Sequence, residues 1–134
     1  MGRIPGGARW TFVVAIAAIG MLTSTIVSPP SIAVPGPVGS GAFLHVTGYF
    51  GFALAVAYAL APYRAPARTK LLLAFLLPVC FGAMMEVAQS FFAHRVMSVE
   101  DVFANAAGAG AAVVGWHLLS VRFDGTPAGQ GSTG

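Results

Sequence analysis

The sequence predicts an all-α polytopic membrane protein, an antiparallel bundle of four transmembrane helices. Apolar residues make up 57% of the 134 residues and charged residues only 8%, too few to cover a soluble globule. Four apolar stretches are each long enough to cross a hydrocarbon core of ~30 Å as a helix. The net charge of +3 is scattered beside these stretches rather than gathered in one patch, so no nucleic-acid partner is expected.

The first apolar stretch covers about residues 10–27 and follows two arginines, Arg3 and Arg9. Positive residues before an apolar core are also typical of a signal peptide, which is the alternative interpretation. Because the apolar core is longer than the ~7–15 residues usual in signal peptides, we expect a retained helix. Prolines and glycines follow it and end the helix.

Three further apolar stretches cover about residues 43–61, 71–92 and 101–119. Together with the first they form one predicted domain, 1–123, followed by a Gly-, Ser- and Thr-rich tail, 124–134, which we expect to be disordered. The fourth stretch is rich in alanine and glycine. Small residues allow helix backbones to approach closely in lipid, so this helix is expected to pack against its neighbours.

The basic residues divide unequally between the two sides of the predicted bundle. Arg95 alone flanks one side. The other side holds the rest, namely Arg3, Arg9, Arg64, Arg68, Lys70 and Arg122. The positive-inside rule therefore predicts that both termini are cytoplasmic and that the 93–100 loop faces outward.

Polar residues collect at the outward ends of the last three helices. Glu86 and Gln89 share a face of the third helix, since they are spaced i, i+3, and Asp101 and Asn105 share a face of the fourth at i, i+4. An ionisable residue at the depth of Glu86 costs ~2.5–3.5 kcal/mol unless it is paired or hydrated, which makes it a functional-site hypothesis. The candidate ligand-binding residues are His45, Tyr49, Glu86, Gln89, Arg95, Ser98, Asp101 and Asn105.

Several of these residues also have purely structural interpretations. Ser98 and Asp101 fit a capping box at the start of the fourth helix. Arg95 would serve as an interfacial anchor that reaches the lipid headgroups. Glu86 would form a buried structural pair with Arg95 or His45.

The polar pattern resembles the core motif of the VanZ-like family. The motif reads E-x-x-Q, a short loop with R and S, then D-x-x-x-N-x-x-G, and an H-F-x-x-Y element lies on the preceding helix. The matching residues are His45, Tyr49, Glu86, Gln89, Phe92, Arg95, Ser98, Asp101, Asn105 and Gly108. The chain departs from the family pattern at Gly41 and Ala42, where an Asp-Lys pair is frequent, at Val46, and at Met85.

This resemblance implies a small multi-pass protein of the cell membrane in a bacterial or archaeal envelope. The named member of the family is linked to resistance to the glycopeptide teicoplanin. We expect this chain to bind or modulate an envelope lipid, glycan or peptide, such as a cell-wall precursor, without catalysing a reaction. A homo-oligomer is left open.

Two alternatives remain at this point. The first is an intramembrane enzyme acting on a lipid-linked substrate, with Glu86, His45 and Asp101 as acid/base or metal-binding groups. The second is a small transporter or proton relay. Since the sequence contains no nucleophile motif, phosphate-binding glycine loop or H-E-x-x-H motif, we expect no cofactor and no metal site.

Overall fold

The computed structural model describes residues 6–26, 40–91 and 99–124. They form four α-helices and, within these ranges, no strand, which confirms the predicted all-α class. The helices are α1 (Gly6–Ile26), α2 (Ser40–Leu60), α3 (Ala67–Ser90) and α4 (Val99–Asp124). The 93–98 part of the predicted outward loop and the predicted tail beyond Asp124 lie outside the described residues.

The helices have the length and composition of membrane spans. Three apolar segments are long enough to cross a bilayer, Gly41–Leu60, Ala67–Ser90 and Val99–Arg122. In α1 the apolar helix that can be described is shorter, Gly7–Leu22. Large apolar side chains are exposed on the outer faces, as at Phe12, Leu72 and Val114, where lipid would cover them. The chain is therefore a helical membrane bundle.

Each helix begins two to four residues before the apolar stretch that predicts it. For example, α3 begins at Ala67 rather than at residue 71, so that Arg68 and Lys70 lie in its first turn. Similarly, α4 runs to Asp124, beyond residue 119. The apolar stretch marks the part of a helix that lies in lipid, whereas backbone hydrogen bonding continues into the polar interface.

Helix α2 lies at the centre of the bundle and packs against each of the other three helices, while α4 also packs against α3. The main core contains Phe52 and Val56 of α2 together with Val13 of α1 and Ala74 of α3. Phe52 meets Phe81 edge to face, with ring centroids 5.4 Å apart. Helices α2 and α4 run parallel to each other and antiparallel to α3.

Helices α2 and α4 form the most extensive contact in the bundle, and their backbones approach each other closely at Gly108. A Cβ on Gly108 would collide with the carbonyl group of Val46, lying only 2.9 Å from its carbon atom. Ala109 and Ala112 are fully or almost fully buried on the same side of α4. This arrangement confirms that the small residues of the fourth helix serve close packing against its neighbours.

The opposite end of α2 is surrounded by cationic residues. Arg9 of α1 donates a hydrogen bond to the carbonyl oxygen of Tyr58 (3.3 Å), and its guanidinium lies 4.4 Å from the centre of the Tyr58 ring. Lys70 of α3 donates to the carbonyl oxygen of Ala61 (3.0 Å). Cations at a helix C-terminus satisfy its free carbonyl groups and are favoured by the helix dipole.

The close contact at Gly108 gives a stability prediction. Replacing Gly108 with Ala forces α2 and α4 apart, which we expect to lower the free energy of unfolding by ~1–3 kcal/mol. Thermal unfolding in detergent, followed by circular dichroism, measures this change. The matched control is Gly115→Ala on the same helix, where an added Cβ meets nothing within 4 Å. An equal stability for the two variants would contradict the predicted packing role.

Candidate functional site

Polar side chains from three helices meet at the end of the bundle where α2 and α4 begin and α3 ends. Among the described residues, the buried polar or charged side chains are Glu86, Gln89 and Asn105. Glu86 and Gln89 belong to the buried stripe of α3, which also contains Gly82. Asn105 lies on the buried face of α4 beside Gly108. These positions agree with the helix faces predicted from the residue spacing.

His45 links α2 to α4. Its Nδ1 lies 2.8 Å from the side-chain oxygen of Asn105, and since an amide oxygen only accepts hydrogen bonds, Nδ1 is the protonated nitrogen in this arrangement. Its Nε2 faces Asp101, with 3.8 Å between the nitrogen and Oδ2. The side chains of His45 and Asp101 are 28% and 26% exposed, so the cluster can be reached from outside the bundle.

Glu86 is the deepest ionisable group of the cluster. It is only 5% exposed, although a carboxylate in an apolar bundle is costly to bury. One carboxylate oxygen of Glu86, one of Asp101 and one ring nitrogen of His45 all lie within 4.8 Å of one another. Two acids and an imidazole are thus brought together from three different helices.

Tyr49 lies one helical turn below His45, and the two rings are stacked with centroids 6.3 Å apart. On the other side, Tyr49 approaches α3 at Gly82. A Cβ on Gly82 would lie 2.8 Å from the Tyr49 hydroxyl oxygen and 2.6 Å from Nδ2 of Asn105. The absence of a side chain at Gly82 therefore leaves room for both polar groups.

Asn105 is 1% exposed and holds the centre of the cluster. Its oxygen accepts the His45 hydrogen bond, whereas its Nδ2 has no hydrogen-bond partner in the described part of the chain. Buried amide donors are normally satisfied by protein, water or ligand. The free donor is directed towards the face of α3 that carries Gly82 and Glu86.

The structure thus brings together His45, Tyr49, Glu86, Asp101 and Asn105, and it places Gln89 on the same buried face as Glu86. The predicted site residues Arg95 and Ser98 lie outside the described residues. Sequence reasoning missed Gly82, although its position one turn before Glu86 on the same helix face was a usable signal.

The charges of the bundle are separated along its length. The described lysine and arginine side chains, namely Arg9, Arg64, Arg68, Lys70 and Arg122, lie at the end where α2 and α4 finish. The 21 residues of α2 correspond to a rise of about 30 Å between the two ends. The carboxylates of Glu86 and Asp101 therefore lie across the bundle from these cations.

Fold and site together define a helical membrane protein with a polar cluster at one end of the bundle. The VanZ/LLP1 family model matches residues 8–120, and the chain belongs to this family. The match spans all four helices, and it confirms the resemblance seen in the polar motif. No curated protein and no solved structure matches the chain.

Proposed function

We propose that this VanZ/LLP1 family protein binds the polar part of a lipid-linked molecule of the cell envelope, and that it does so without catalysing a reaction. The observation that carries the proposal is the buried carboxylate of Glu86 on α3, which lies beside His45 of α2 and Asp101 of α4, with Asn105 of α4 in hydrogen-bonding contact with His45. A bundle stabilised by packing alone does not need this costly group, whereas a ligand-binding site does.

The depth of the cluster supports a ligand that is itself anchored in the membrane. Glu86 lies four residues before the end of α3, and Asn105 lies six residues after the start of α4, a rise of about 6 to 9 Å from the helix ends. With the helix ends at the membrane surface, this depth corresponds to the level at which lipid headgroups join their acyl chains. A lipid-linked ligand would reach the site laterally from the bilayer.

The chemistry of the cluster indicates what kind of group would bind. Glu86 and Asp101 accept hydrogen bonds from hydroxyl, amide or ammonium groups, while Nδ2 of Asn105 offers a donor to an oxygen. Such a set suits a glycan or peptide portion with both donors and acceptors. Arg95 and Ser98 are proposed to complete the site, Arg95 by pairing with an anionic group.

A second candidate is an intramembrane enzyme that acts on a similar lipid-linked molecule. The convergence of His45, Glu86 and Asp101 favours it, since these groups could transfer protons or hold a metal. A proton relay or transporter receives less support. In the described residues the buried polar side chains are confined to one end, and the rest of the core is apolar.

Ligand retention tests the proposed function. We expect the full chain, purified in mild detergent, to retain one lipid-linked envelope molecule that mass spectrometry of the extract identifies. Glu86→Gln removes the charge that orders the site and should reduce the retained molecule about tenfold or more. The matched control is Glu100→Gln, which removes an exposed acid on the first turn of α4.

Three outcomes of this experiment are distinct. A retained molecule that is unaltered and depends on Glu86 supports binding. A new product that depends on Glu86, formed when the protein is incubated with envelope lipid, supports the enzyme instead. Equal retention by the wild type and a folded Glu86→Gln variant would contradict both.

The site is proposed to face outward, and a topology reporter tests this. Two reporters are fused in turn after Asp124, green fluorescent protein and alkaline phosphatase. Because of the excess of basic residues at the other end of the bundle, this position should lie in the cytoplasm, so the first fusion should fluoresce and the second should have no phosphatase activity. The control is a phosphatase fused after Ser90, which should be active. The reverse pattern would place the polar cluster on the cytoplasmic side.

A further inference from the structure

We propose that His45, Glu86 and Asp101 form a binding site for a divalent transition-metal ion. This inference rests on the proposed function in treating the cluster as a binding site, and it goes further by naming an inorganic partner. An imidazole with two carboxylates is a ligand set that suits Zn²⁺ or Mn²⁺. Three protein ligands also leave a coordination position for water or for an oxygen of the ligand.

The geometry of the three groups is close to that of a metal site. One ligand atom from each group lies within 4.8 Å of the other two, and Nε2 of His45 is 3.8 Å from Oδ2 of Asp101. Ligands at ~2.1 Å from a tetrahedral ion are about 3.4 Å apart. Side-chain rotations that shift each ligand atom by about 1 Å would therefore close the set around an ion.

The orientation of the His45 ring favours metal binding. Its Nδ1 lies 2.8 Å from the side-chain oxygen of Asn105, and its Nε2 faces the carboxylate of Asp101 at 3.8 Å. A metal-bound histidine characteristically donates its other ring N–H to a carbonyl or carboxylate oxygen, which orients the ring. Asn105 fills this orienting role, and Tyr49 stacks on the ring from one turn below.

Asn105 provides a second and independent observation. Its side chain is 99% buried, yet Nδ2 has no hydrogen-bond partner in the ranges that the structure describes. A buried donor of this kind is satisfied by an ordered water or by a ligand oxygen. Since Asn105 also holds the His45 ring, that water or ligand would lie beside the proposed ion.

Electrostatics support the same conclusion. A divalent ion placed among the two carboxyl groups and the His45 ring nitrogen would make an attractive contact with each of them.

Metal titration tests the inference directly. The full chain is purified in detergent with an affinity tag that lacks histidine, treated with a chelator, and titrated with Zn²⁺ by calorimetry. We expect saturable binding of one ion per chain. Asp101→Asn and His45→Ala should each weaken this binding by about tenfold or more, as loss of ligands requires. Co²⁺ should give a visible absorption spectrum that His45→Ala abolishes.

Two matched controls should bind Zn²⁺ like the wild type. Glu100→Gln removes an exposed acid next to Asp101, and His117→Ala removes an exposed histidine near the other end of α4. Glu86→Gln should also weaken binding when circular dichroism shows intact helices. If that variant does not fold, the test rests on Asp101→Asn and His45→Ala, since Asp101 and His45 are partly exposed. No saturable Zn²⁺ binding, or binding unchanged in Asp101→Asn and His45→Ala, overturns the inference.

The two proposals fail in different ways. A lipid-linked molecule that is retained after chelation by a protein without Zn²⁺ affinity would sustain ligand binding and refute the metal site. Conversely, stoichiometric Zn²⁺ binding without any retained envelope molecule would sustain the metal site and refute the proposed function.

Discussion

The backbone contact between α2 and α4 is the constraint on which the rest of the site depends. Because Gly108 has no side chain, α4 can approach the carbonyl group of Val46, the residue next to His45. That approach brings the ring of His45 within hydrogen-bonding distance of Asn105, which lies almost one turn before Gly108. In lipid, where no hydrophobic force drives helices together, such close packing replaces the core of a soluble protein.

The directions of α2 and α4 add a favourable electrostatic interaction to this packing. Helices α2 and α4 run parallel and both begin at the cluster, so their positive dipole ends lie there. Glu100 and Asp101 are in the first turn of α4, and Arg122 is in its last turn. The same dipoles favour Arg9 and Lys70 at the other end of α2. The charge separation along the bundle therefore agrees with the dipoles of α2 and α4, whereas α3 runs in the opposite direction.

The fold class and the polar faces could be predicted from the sequence because helix period and apolar length are local properties. The spacing of Glu86 with Gln89 and of Asp101 with Asn105 was sufficient to assign shared faces. Distances between helices are not local, so neither the His45–Asn105 hydrogen bond nor the space that Gly82 leaves for Asn105 could be deduced. The helix ends at Ala67 and Asp124 lie beyond the predicted apolar stretches because hydropathy does not mark where backbone hydrogen bonding begins and ends.

The central claim is that three helices build one ligand site. The most direct test is a substitution at Gly82, which fills the space beside Asn105 and Tyr49 without removing any charge. In Gly82→Ala the new methyl group displaces Asn105 and Tyr49, which should free the His45 ring. Gly51→Ala is the control, since its Cβ meets nothing within 4 Å. A single site predicts that Gly82→Ala, with its helices intact, loses both the retained envelope molecule and Zn²⁺ binding, while Gly51→Ala keeps them. Unchanged binding of both in a folded Gly82→Ala protein would contradict it.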